Sequence, residues 1–259
     1  EPRKTFVLAI LAGAFIAMGA IFATTATAGA AGHLAYGLTR VLGGLVFSLG
    51  LILVVVAGAE LFTGNNLIVM AWAGGRVTMK KLLFNWTIVY TGNFLGSITT
   101  AALVFIAGQH TFGGGLVGLN MLEIAEAKTG LGFGQAIALG MLCNALVCMA
   151  IWLCLSARTT TDKILAILFP ITAFVAAGYE HSIANMFFIP VGLFVKAWAS
   201  AEFWSTIGSS PMAYVNLTWD NFLLVNLLPV TIGNIIGGSL MVGLVYWFVY
   251  VRSGVMDKE

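Results

Sequence analysis

A carboxylate and an amide recur at one spacing inside apolar sequence, as Gly-x-Glu-x-x-x-x-Asn. The first copy is Gly58-Ala59-Glu60-Leu61-Phe62-Thr63-Gly64-Asn65. The second is Gly178-Tyr179-Glu180-His181-Ser182-Ile183-Ala184-Asn185. Only 8% of the chain is charged, and a polar group buried in lipid costs several kcal/mol unless it is satisfied. Two matching copies point to one site built from two related halves. His181 adds a titrating group; His33 and His110 fall in connecting segments. An imidazole beside a carboxylate can bind a small anion, hand it a proton, or simply pack as a core residue.

Long apolar helices must carry these groups. The 259 residues are 60% hydrophobic, with a mean hydropathy of +0.99, which describes an integral membrane protein. Continuous apolar runs favour helices over an outer-membrane barrel. Six spans are expected, at roughly 5–28, 41–73, 84–108, 133–157, 164–198 and 222–251, each reaching the ~20 residues that a crossing needs. The second and fifth are too long: about 33 residues at ~1.5 Å would reach ~50 Å against a ~30 Å hydrocarbon core. The motifs sit in the middle of these two runs, so a helix break is expected at each.

Charge sets an expected orientation. With the N-terminus inside, Arg3, Lys4, Arg76, Lys80, Lys81, Arg158, Lys163, Arg252 and Lys258 are cytoplasmic, and only Arg40, Lys128 and Lys196 are outside. That is a positive-inside bias. The first apolar run, about 24 residues, is too long for the core of a cleaved signal peptide. The chain starts without Met, so a preceding N-terminal segment is expected. Cys143, Cys148 and Cys154 share the fourth span as apolar packing residues. Without C-x-x-C or a Cys/His cluster, neither a metal nor a disulfide is expected.

A second motif pair extends the repeat. Asn85-x7-Asn93 with Gly92-Asn93-Phe94-Leu95-Gly96 lies in the third span. Asn226-x7-Asn234 with Gly233-Asn234-Ile235-Ile236-Gly237 lies in the sixth. Each half holds three spans, an odd number, so the halves enter the membrane in opposite directions. The fold class expected is therefore an all-α integral membrane protein: one membrane domain over 1–259, with inverted repeats 5–108 and 133–251. Sites in such folds lie at discontinuous helices near the midplane. The second half adds an amphipathic, aromatic outer loop at residues 199–221, with Trp198, Phe203, Trp204, Tyr214 and Trp219 at a membrane interface.

A broken helix exposes N–H groups and a partial positive charge at its new N-terminus. Thr63, Gly64 and Asn65 open one such half-helix, and Ser182 and Asn185 mark the matching point; these are capping types. Two termini near the midplane would attract an anion. Glu60 and Glu180 are open to two readings. They could accept hydrogen bonds at the breaks and face away from a pore, or they could relay protons or bind a cation.

These residues resemble the formate/nitrite transporter family over essentially the whole chain. The strongest stretches are GYEHSIANMF from Gly178, LPVTIGNIIGG from Leu228, GAELFT from Gly58 and CNALVCMAIW from Cys143. The resemblance implies an aquaporin-like six-helix protomer, a homopentamer, and one anion pathway in each protomer. It places Phe62 and Thr63 on the loop that breaks the second span and makes His181 the central histidine. It assigns Phe47, Leu51 and Phe174 to apolar constrictions, and Lys128, Asn144, Glu180 and Asn234 to polar positions near the pathway. Gly64, Asn65 and Asn66 depart from the serine-threonine run of close relatives. The family also carries a cytoplasmic N-terminal segment implicated in gating, and this chain begins just before the first span.

The function expected is transport of small monovalent anions across a bacterial cytoplasmic membrane, with both termini inside. Formate stands first; nitrite, acetate and hydrosulfide are alternatives. Lys128, the break termini and His181 would draw the anion in, and Thr63 and Asn144 would replace hydration. An aquaglyceroporin-like neutral pore is a rival, but paired Asn-Pro-Ala segments are lacking. An intramembrane enzyme would need a nucleophile, di-acid or metal set, and no cofactor motif occurs. Lipid is a partner and nucleic acid is not.

Overall fold

The computed structural model describes residues 1–252. Lys258, counted above on the cytoplasmic side, and the tail of the 1–259 domain lie outside the described residues. Every regular element among the described residues is helical.

Helix α1 (Pro2–Thr27) starts with proline at its first position, where no N–H is needed. Helix α2 (Tyr36–Ala57) ends on Gly58 at φ +74, the left-handed geometry that glycine adopts without strain. After the break come α3 (Phe62–Asn65) and α4 (Val69–Ala73), joined by a 3-10 turn at Asn66–Ile68. Helix α5 (Met79–Ile106) begins earlier than hydropathy predicts. Thr78 caps it by accepting from the Lys81 N–H, so a polar, lysine-bearing turn precedes the apolar stretch.

Two helices occupy segments expected as loops. Helix α6 (Leu116–Thr129) packs against α9, and α10 (Ala201–Thr206) is capped by Ser200. The 199–221 segment is only partly an interface loop. Phe203, Trp204 and Tyr214 are buried, whereas Trp198 and Trp219 are exposed. Lys196 ties it down by donating to the carbonyls of Tyr214 and Leu217 (2.6 and 2.9 Å).

Helix α7 (Phe133–Ser156) precedes the second broken pair, α8 (Thr160–Ala176) and α9 (Ser182–Trp198). Gly178 takes φ +78 at this break. The final helix, Asn221–Val251, is α-helical in its middle, α11 (Leu228–Ile235), and wider π-type turns flank it. Among the described residues, five helices are long and apolar enough to cross a membrane, and Ser182–Trp198 is a shorter apolar one. The chain is a multi-pass membrane protein.

Two helix pairs meet backbone to backbone. A Cβ on Gly96 would sit 2.0 Å from the Ile10 carbonyl oxygen, and one on Gly237 would sit 2.1 Å from that of Met141. Both glycines belong to the repeated Gly-Asn-x-x-Gly segments, which bring α5 onto α1 and the last helix onto α7.

Candidate functional site

Both breaks are closed by an asparagine from another helix. At the first, the Phe62 N–H donates to Asn93 Oδ1 (2.9 Å), and Asn93 Nδ2 donates to the carbonyls of Ala9 (2.7 Å) and Glu60 (2.9 Å). At the second, the Ser182 N–H donates to Asn234 Oδ1 (2.9 Å), and Asn234 Nδ2 donates to the carbonyls of Gly140 (2.8 Å) and Glu180 (3.0 Å). The first N–H of each new helix is thus already occupied. Irregular backbone at membrane depth survives because protein groups satisfy it.

The carboxylates form a second matched set. Asn65 Nδ2 donates to Glu60 Oε2 (2.7 Å) and Asn85 Oδ1 (3.0 Å). Asn185 Nδ2 donates to Glu180 Oε2 (2.6 Å) and Asn226 Oδ1 (2.7 Å). Their partners are side-chain amides rather than freed backbone N–H groups. Glu180 does not face away from the open space: it lines the main cavity and binds Lys128 at 2.7 Å. Lys128 lies in the last turn of α6, not in a loop, and its ammonium also stands 5.5 Å from the Phe188 ring centre.

Capping departs from expectation. His181, not Ser182 or Asn185, is the N-cap of α9: the Ala184 N–H donates to His181 Nδ1 at 3.0 Å. At the first break Leu61 precedes the helix and no side chain caps it. Because a backbone N–H only donates, Nδ1 is the acceptor and the neutral ring carries its proton on Nε2. That Nε2–H donates to Thr63 Oγ1 at 3.0 Å, joining the two breaks. The Thr63 carbonyl in turn accepts from Asn144 Nδ2 (3.3 Å) and Cys148 Sγ (3.4 Å).

A vestibule of about 850 Å³ opens at the face carrying the α1–α2 connection and α6. Arg40, Glu123, Lys128 and Glu180 line it, and Phe47, Phe174 and His181 bound its inner end. The Phe47 and Phe174 rings meet edge-on at 5.7 Å. Beyond them lies a void of about 10 Å³ bounded by Leu51, Leu61, Phe47, Phe174 and His181, near the minimum for one water.

Four expected positions fall elsewhere. Thr63 is fully buried and lines neither space; it reaches the vestibule wall only through its bond to His181. Phe62 lines neither space; its ring packs against Tyr90 (4.9 Å) and Trp86 (6.1 Å), and Leu61 takes the void-lining place. Asn144 and Asn234 also line neither cavity. Asn144 Nδ2 is taken up by the Asn66 side chain and the Asn234 and Thr63 carbonyls. Gly64 and Asn65 fall inside α3. Sequence reading missed Leu61 and gave Arg40 no role. Leu61 follows Glu60 directly, but a non-helical stretch offers no periodicity to show which side chain turns inward.

Comparison with known proteins places this geometry in a family context. The family description Formate/nitrite transporter matches residues 1–248. The chain is 48% identical to the formate channel FocA of Escherichia coli (strain K12) over 253 residues, 98% of this chain and 88% of that one. It is 44% identical to the formate channel FocA of Haemophilus influenzae over 243 residues, 94% of this chain and 85% of that one. Its structure is similar to a pentameric formate channel with formate bound, with a TM-score of 0.92 and 46% identity, covering 96% of this chain and 98% of the other.

Proposed function

Because the chain belongs to the formate/nitrite transporter family, we propose that it conducts small monovalent anions, formate first, across a membrane. One pathway would run through each copy of a homopentamer. Nitrite, acetate and hydrosulfide are the other candidate cargoes. The observation that carries this reading is the vestibule ending on Phe47 and Phe174, with the buried Thr63–His181 bond directly behind them. An anion arriving there leaves bulk water and meets a hydroxyl and an imidazole N–H in place of its lost hydration. The two aromatic rings reject large or strongly hydrated solutes.

The matched hydrogen-bond sets at the two breaks support six spans arranged as an aquaporin-like inverted repeat, 5–108 and 133–251, within one membrane domain. Thr63, Glu180, His181 and Lys128 border the pathway. Phe47, Leu51 and Phe174, with Leu61 in place of Phe62, form the constriction. Asn144, Asn234, Glu60, Asn65, Asn185, Ser182 and the glycines at 58, 64 and 178 hold the breaks in shape. The positive-inside bias supports an orientation with both termini inside, and the bacterial relatives support a bacterial cytoplasmic membrane. Transport, not catalysis, is the activity, as in the channels it resembles.

Uptake of formate, nitrite and glycerol into proteoliposomes across a pH series, parent against His181→Phe, tests this. Fast formate uptake over glycerol, with its pH profile altered by the substitution, supports the reading. Equal glycerol flux refutes an anion pathway. An identical pH profile in both proteins leaves His181 as a helix cap only.

A further inference from the structure

Lys128 is not the vestibule's available cation. Glu180 Oε1 holds it at 2.7 Å, so the pair carries no net charge. Arg40 lines the same vestibule, and among the described residues no carboxylate lies within salt-bridge distance of it. Its guanidinium is nevertheless fixed. Nε donates to the Ala176 carbonyl (3.1 Å) and Nη2 to the Val175 carbonyl (2.5 Å), at the C-terminal end of α8. Of the five N–H groups of a guanidinium, those two are engaged and three are left, including both on Nη1. The unused Nη1–Nη2 edge offers two parallel donors, the arrangement that receives both oxygens of a carboxylate.

A second feature shows that the chain reserves space for this group. Gly178 has φ +78, and a Cβ there would lie 3.3 Å from Arg40 Nη2. At the matching Gly58 a Cβ would meet nothing within 4 Å. The glycine of the second motif therefore leaves room for a guanidinium as well as making a turn. The carbonyl end of α8, worth about half a negative charge, holds Arg40 without filling its outer edge. The other charge on the vestibule wall is Glu123, exposed, and His33 is exposed nearby.

We infer that Arg40 is an anion-binding station in the vestibule, ahead of the Phe47–Phe174 constriction, selective for small planar anions that present two oxygens. Formate, acetate and nitrite meet that requirement. Hydrosulfide, with one acceptor atom, cannot span the fork and is held by charge alone. The inference rests on the reading of the chain as an anion pathway.

Concentration series of formate and hydrosulfide uptake into proteoliposomes, with Arg40→Lys and Arg40→Gln beside the parent, test it. Arg40→Gln should raise the half-saturating formate concentration about tenfold and that of hydrosulfide less than threefold. Arg40→Lys, which keeps the charge and loses the fork, should raise the formate value about threefold and leave hydrosulfide near the parent. Equal shifts for both anions in Arg40→Gln overturn the inference, as does a parent-like formate value in Arg40→Lys when Arg40→Gln fails to assemble. A parent that moves neither anion refutes the proposed function itself, an outcome distinct from either.

Discussion

At the first break, Glu60 is half-buried, accepts one amide, and meets no lysine or arginine among the described residues. At the second, Glu180 is buried, accepts from Asn185 and Asn226, and is neutralised by Lys128. The asparagine braces that close the two breaks are otherwise nearly superimposable in their bonds. The shared part solves a problem common to both halves, backbone that must not go unsatisfied in lipid. The difference follows burial. A carboxylate with access to water keeps its charge cheaply, whereas a buried one needs an opposite charge and several donors.

Removing Lys128 should break this contrast most visibly. Lys128→Met leaves Glu180 buried and unpaired, a loss of about 3–5 kcal/mol. Glu60→Gln exchanges a carboxylate oxygen for an amide oxygen as acceptor from Asn65 at a half-exposed site and should cost under about 1 kcal/mol. Thermal unfolding in detergent reads both, and the double substitution Lys128→Met with Glu180→Gln should recover much of the first loss. Equal effects of the two single changes would show that burial does not set the difference.

The braces test the likeness rather than the contrast. Asn93→Ala and Asn234→Ala each remove three hydrogen bonds from buried backbone partners, and each should cost roughly 2–4 kcal/mol. Midpoints that fall by similar amounts support equivalent halves. A large drop for one and none for the other would mean that the paired motifs do different jobs.

The smallest effect is expected far from either break. His110 sits between Phe105 and Phe203 with its Nδ1 buried and unpartnered. Burial pushes its pKa below the usual histidine value. The unfolded chain therefore takes up the proton first, and stability present above about pH 6.5 declines as the pH falls toward the lower folded value. His110→Phe should flatten that acid-side decline in the thermal midpoint and change the neutral-pH midpoint little. A decline of the same slope in both proteins would exclude His110 as its source.

Much of this frame was legible in the chain itself. Glycine at 58 and 178 followed by a glutamate, in runs too long to cross once, located both breaks. The Asn93 and Asn234 motifs, repeated at equal spacing, marked a matched pair of asparagines, but not that these amides close the breaks: their partners lie on other helices. The resemblance alone placed Lys128 near the pathway; its helix and its pairing with Glu180 were not legible, because the partner is 52 residues away and α6 mixes charged and small residues without a clear apolar stripe. The choice of Leu61 over Phe62 depends on side-chain direction in extended backbone, where one residue of slip reverses the facing side. The aromatic 199–221 segment looked like an interface loop because composition alone cannot distinguish a ring that touches lipid from one that packs under a loop.

His181 has one nitrogen tied to the start of α9 and the other aimed at Thr63. Its protonation chemistry and the local folding of that helix are therefore a single coordinate. A second proton can reach the ring only by taking the lone pair that the Ala184 N–H already holds, which unties the cap. The ring is thus a one-way donor through Nε2, and anything that displaces the Thr63 hydroxyl meets a hydrogen rather than a base.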